Sequence, residues 1–173
     1  MMDWQMLTLV GEDQPGIVAQ VTDALYRGGF TLGETSMIRL GGNFTVMMMV
    51  ASGEAAPPLL PLLEPVAHKL DLKIHLDPIR GALHQHRVPN FQVRVNGADR
   101  AGIVARVTGA LADCGFNILE LESDVVGTEQ QPVYIMTIQG YAEATLEALE
   151  GALEPLKAQD IDVHVSPIET LIG

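Results

Sequence analysis

The sequence predicts an α+β protein made of two tandem ferredoxin-like βαββαβ units. Each should be a four-stranded antiparallel sheet with two helices on one face. Three observations predict this. Residues 11–30 (GEDQPGIVAQVTDALYRGGF) return as residues 97–116 (GADRAGIVARVTGALADCGF), with 12 of 20 positions identical at an offset of 86. Both copies pass through the same order of two-residue and helical apolar spacings. The 173 residues are 47% hydrophobic and 18% charged, which suits two small packed cores and excludes a disordered chain.

The first strand of each copy is read from apolar-rich residues 4–10 and 91–95. The first helix follows from helical spacing: Ile17, Val18, Val21, Ala24 and Leu25, echoed by Ile103, Val104, Val107, Ala110 and Leu111. Gly28-Gly29 and Gly115 supply stops that tolerate positive φ. Gly41-Gly42-Asn43 is a turn signal between strands 31–40 and 44–51. In the second copy, strands 117–126 and 133–139 flank a longer turn. Met47, Met48 and Met49 lie in a strand near the sheet centre and are read as core packing. Second helices are expected near 59–70 and 142–158, although Pro65 should delay or kink the first of them. The last strands alternate cleanly: Leu72, Ile74 and Leu76, then Ile161, Val163 and Val165. The resulting boundaries are 1–80 for the first unit, 81–90 for a linker and 91–173 for the second unit.

The net charge is −12, with −4 in residues 1–82 and −9 in residues 91–173. A protein that grips phosphates needs a basic footprint, so nucleic acid is not expected as the direct partner. The longest apolar run, residues 46–51, is far short of the roughly 20 residues that span a bilayer. The N-terminus shows no secretory signal pattern. The single cysteine, Cys114, excludes an internal disulfide, fits a reducing cytoplasm and packs as a small apolar residue.

The loop between the first strand and first helix is the candidate site. It reads Gly11-Glu12-Asp13-Gln14-Pro15-Gly16-Ile17 and Gly97-Ala98-Asp99-Arg100-Ala101-Gly102-Ile103. Asp13 and Asp99 are expected to cap the helices by accepting backbone N–H bonds, and Pro15 suits a first turn. Gly16 and Gly102 would let another group approach. The free N–H groups of residues 16–18 and 102–104 would then form an anion site able to hold a carboxylate. Simple capping of a strand-to-helix turn is the bland alternative. No Gly-Lys-Ser/Thr ending is present, so this is not a phosphate loop.

The Asp-x-Pro-Gly-Ile-Val loop, Gly-Phe-Asn-Ile at residues 115–118 and the βαββαβ order resemble ACT domains. These are small regulatory modules that commonly bind amino acids at domain interfaces. The tandem pair, with no catalytic domain in the chain, resembles the glycine cleavage system transcriptional repressor family. That resemblance implies a regulator acting on a DNA-binding activator rather than on DNA, with glycine as the signal. The runner-up is a free-standing regulatory subunit that controls a metabolic enzyme. Carried over by position, the carboxylate loops are Gly16, Ile17 and Val18, and Gly102, Ile103 and Val104. Asn117, followed by Ile118, matches a ligand-touching position. The first copy departs there with Thr31, and the second departs at Ala101, where the first has the loop proline. Domain or dimer contact would close the site.

No catalytic constellation, metal set or cofactor motif is recognised, and no enzyme activity is expected. His84 and His86 lack the third and fourth ligands a metal needs. Glu120, Glu122 and Asp124 alternate along a strand, either guarding an edge or meeting a basic partner.

Overall fold

The computed structural model describes residues 4–53, 55–79, 87–98, 102–159 and 161–169. The chain divides into two compact units, Met1–Gln85 and His86–Gly173. The first contains β1 (Trp4–Glu12), α1 (Ile17–Arg27), β2 (Phe30–Leu40), β3 (Asn43–Ser52), α2 (Leu59–Leu70) and β4 (Lys73–Pro78). The second contains β5 (Phe91–Ala98), α3 (Ile103–Asp113), β6 (Asn117–Thr128), β7 (Gln131–Tyr141), α4 (Leu146–Lys157) and β8 (Ile161–Pro167). Strand order is β2-β3-β1-β4 and β6-β7-β5-β8. Every neighbouring pair is antiparallel. Residues 80–86, which hold His84, His86 and most of the expected linker, lie outside the described residues.

Each sheet uses the two-residue period of its strands to separate a covered face from an open one. In β1, Leu7 and Leu9 turn toward the helices and meet Ile17, Val21 and Leu25 of α1 and Leu59, Leu63 and Leu70 of α2 in one core. Val93 and Val95 of β5 do the same with Ile103, Val107 and Leu111 of α3 and Leu149, Leu153 and Leu156 of α4. No buried polar or charged residue is found among the described residues, so burial of aliphatic surface holds each unit together.

Several details differ from the sequence reading. The three consecutive methionines alternate: Met48 is fully buried against the helices, Met49 is buried on the other face of the sheet, and Met47 on that face is 45% exposed. The longer turn expected in the second hairpin is instead taken up by longer arms. Strand β6 runs to Thr128 and β7 begins at Gln131, with Gly127 at φ 102°. Helix α2 is not delayed by Pro65, and α4 carries Pro155 at the matching place. Both prolines are exposed, so water can satisfy the carbonyl each leaves unbonded. Helix α4 starts only at Leu146, because the Thr145 hydroxyl accepts the Ala148 N–H at 3.3 Å and caps it. The first hairpin turns through Gly41 (φ 55°) and Gly42 (φ 77°), the positive pair a tight antiparallel turn requires.

The last residues before β5 are tied to the second sheet. The Asn90 side chain donates to the Ala142 carbonyl at 2.7 Å and accepts from its N–H at 3.0 Å. The Asn90 backbone bonds Gly140 and Ile168, and Arg87 stacks over the Tyr141 ring.

Leu25→Ala and Leu111→Ala should each cost about 2–5 kcal/mol in denaturant unfolding, because both side chains are fully buried. A Cβ at Gly140 would overlap the Phe116 ring and the Asn117 carbonyl. Gly140→Ala should therefore destabilise by about 1–3 kcal/mol, whereas Gly109→Ala, in open space on α3, should be neutral or stabilising.

Candidate functional site

Helices α1 and α3 both begin at a glycine in the left-handed region, Gly16 at φ 86° and Gly102 at φ 97°. As glycines, neither residue offers a side-chain cap of its own. A Cβ at Gly16 would meet only the Gln20 amide at 3.5 Å, and one at Gly102 only Arg106 at 3.9 Å. Glycine is thus needed for its backbone conformation rather than for space. The first intrahelical bonds run from Gln20 N–H to the Gly16 carbonyl and from Arg106 N–H to the Gly102 carbonyl, both 3.0 Å. The four N–H groups of residues 16–19, and of residues 102–105, have no intrahelical acceptor. Ile17 and Ile103 bury their side chains in the cores, while Val18 and Val104 are both 39% exposed beside these N–H groups. The positive helix end and its donors suit a carboxylate.

Asp13 does not cap α1. Its carboxylate instead pairs with Arg39 of β2 at 2.6 Å, and its N–H donates to the Gly42 carbonyl at 3.1 Å. The reason is geometric: β1 ends opposite the β2–β3 turn, with Glu12 facing Asn43, so the next residue meets that hairpin before it meets the helix. Pro15 precedes the Gly16 cap and lies outside the first turn of the helix. On the other side, the Gln14 amide donates to the Leu70 carbonyl at 3.0 Å, and Lys69 donates to the Gln20 side chain at 2.7 Å. The first loop is therefore tied to the hairpin and to the end of α2. Asp99, Arg100 and Ala101 of the second loop lie outside the described residues.

Arg39 and Gln14 were not singled out from the sequence. Arg39 is the one cation in residues 31–51, which is a usable signal, but nothing local links it to Asp13. Position 125, a valine, takes its place opposite Tyr134 in the second unit, so that unit has no equivalent cation.

The structure does not bring the β2 and β6 candidates to the loops of their own units. Thr31 pairs with Ala51, which pairs with Trp4 at the start of β1, whereas the Gly16 loop follows Glu12 at its end. Asn117 pairs with Tyr141, next to the Gly140–Phe91 pair, while the Gly102 loop follows Ala98. At about 3.3 Å per residue, the two halves of each expected site are about 25 Å apart within one unit. Asn117 is exposed and Ile118 half-buried. An open groove of about 490 Å³ lies at the Thr31 end of the first unit, between Phe30, Leu76 and the Pro57-Pro58 start of α2. It is remote from the Gly16 loop.

Elsewhere, Cys114 is half-buried against the second core. Glu120, Glu122 and Asp124 face solvent on the edge strand β6. Among the described residues, no group of three or more His, Cys, Asp and Glu side chains is placed to hold a metal ion. No helix there is long and apolar enough to cross a membrane.

The ACT domain model matches residues 6–77 and 90–166. The glycine cleavage system transcriptional repressors of Escherichia coli K12 and Shigella flexneri are each 26% identical over 150 residues, covering 86% of this chain and 79% of theirs. A crystal structure of an unknown protein from Galdieria sulphuraria superimposes with a TM-score of 0.75 at 21% identity, covering 98% of this chain and all of the other. A second crystal structure, provisionally designated a glycine cleavage system transcriptional repressor, gives 0.69 at 19% identity, covering 98% and 99%. These likenesses at low identity establish the fold, and the curated relatives that match most of the chain are regulatory proteins rather than catalytic domains. With the family model matching each unit over nearly its full length, this chain belongs to the ACT-domain family as a tandem pair.

Proposed function

We propose that this chain is a non-enzymatic, amino-acid-responsive regulator. It binds a small amino acid, glycine by preference, and represses glycine cleavage genes by contact with a DNA-binding activator. The observation that carries the reading is the pair of glycine-initiated helices, each starting with N–H groups that have no intrahelical acceptor beside an exposed valine. Distant similarity to the repressors named above supports the choice of pathway. The net charge of −12 supports a protein partner over DNA.

In this reading the ligand carboxylate sits on the N–H groups at the start of α3, around Gly102, Ile103 and Val104. The start of α1, around Gly16, Ile17 and Val18, is the second choice, because the Asp13 carboxylate stands close to that loop and Thr31 offers less than Asn117. Asn117 and Ile118 lie too far along their own unit to touch this ligand. They contribute only when a second copy of the chain brings its β6 alongside. Ligand binding then shifts an equilibrium between arrangements that expose or hide the activator-binding surface.

Calorimetric titration with the twenty amino acids tests the sensing step. Glycine or serine should bind; Gly102→Val should abolish binding, and Asn117→Ala should weaken it by about 1–3 kcal/mol. Unchanged binding in both variants would move the site elsewhere, and no binding at millimolar ligand would overturn sensing. Affinity capture from the native cell should recover a transcription activator; recovery of a metabolic enzyme instead would favour the regulatory-subunit reading. In gel-shift assays the purified protein alone should show no tight, steeply salt-dependent operator binding.

A further inference from the structure

The two units have kept the same core but carry different chemistry on the open faces of their sheets. In the first unit the register places Met6, Thr8 and Val10 of β1 beside Met49, Met47 and Thr45 of β3. Ser36 and Ile38 of β2 extend these rows on one side. Asp77, His75 and Lys73 of β4 extend them on the other. Met47 is 45% exposed and Ile38 55%, diagonal neighbours across β3 and β2, with half-buried Met6 and Val10 on the same face. In the second unit the corresponding rows hold Gln92, Arg94 and Asn96 with Gln139, Thr137 and Ile135, flanked by Glu120, Glu122 and Asp124. Ser166, His164 and Asp162 complete that face. The open face of the first unit thus carries methionine, valine and isoleucine where that of the second carries mostly polar and charged residues.

We propose that the open face of the first unit docks face to face on the same face of a second copy of this chain. The twofold axis crosses the strands along the row His75–Thr8–Met47–Ser36. The order of charges along β4 argues for this occupant. Rotation about that axis lays β4 antiparallel over its mate, so Lys73 of each copy meets Asp77 of the other. The same rotation sets Met6 over Val10 and Met49 over Thr45, and brings the two Met47 side chains together at the centre. The face is thus self-complementary in charge as well as apolar, which a chain of net charge −12 needs if two copies are to meet. Aligned sheet-on-sheet packing about 10 Å apart accommodates such interdigitation, and methionine adapts to it. The surface lies on the side of the sheet away from the helices and is independent of the amino-acid site.

Sedimentation or light scattering of the full chain at roughly 1–100 μM, where interfaces of ordinary size can dissociate, tests the proposal. The parent protein should be dimeric, and Met47→Glu should raise the dissociation constant at least about 100-fold with the circular dichroism spectrum unchanged. Thr137→Glu, at the matching position of the second unit, should have no effect. Lys73→Asp and Asp77→Lys should each weaken the dimer, and the double variant should restore it, which keeps the proposal testable should Met47→Glu fail to fold. A parent protein monomeric throughout, a dimer insensitive to Met47→Glu, or a double variant no better than the singles would each overturn it.

Discussion

The register of the central strand is the constraint on which the rest of each unit depends. Strand β1 is paired on both sides, by β3 and β4, and β5 by β7 and β8. With Leu7 and Leu9 fixed toward the helices, Met6, Thr8 and Val10 must face the other way. A slip of one residue would exchange the two sets, exposing the leucines and burying Thr8. The same register fixes where β1 ends. That in turn puts the glycine-initiated start of α1 beside the β2–β3 turn, and puts Thr31 at the far end.

The duplication makes the register visible twice. Both sheets carry an irregularity early in the second strand, between Leu32 and Thr35 and between Ile118 and Glu120. Both first helices start from a positive-φ glycine and bury an Ile, Val and Leu at matching positions. What diverged lies outside the cores: the open faces, the hairpin cation Arg39, and the route from the third strand into the second helix. The first unit makes that last connection through exposed Pro57-Pro58, the second through Ala142 and the Thr145 cap.

Element order was legible in the sequence because it rests on local periodicity, and the repeat supplied an internal check. The glycines at the helix starts were singled out too, but for close approach, whereas the structure needs them for φ near 90°. The partner of Asp13 was not. Capping is a local rule, whereas the Arg39 pair depends on which hairpin a strand end meets in space. The methionine run shows the same limit: three apolar residues in a row read as core, but a strand can bury only alternate ones on one face. The distance between Asn117 and its own helix start follows from the length of α3, at whose far end β6 begins; the resemblance that joins the two positions does not say whether they meet within one copy.

The Asn90 clamp bears on how force passes through the chain. The segment between the units leaves the first unit from β4, an edge strand whose last clamp among the described residues is the Ile79 N–H bond to the Trp4 carbonyl at 3.2 Å. It enters the second at β5, a strand bonded on both sides and pinned beforehand by Asn90. A pull along that segment therefore loads one hydrogen-bonded ladder where it leaves the first unit, and two ladders together with the Asn90 clamp where it enters the second.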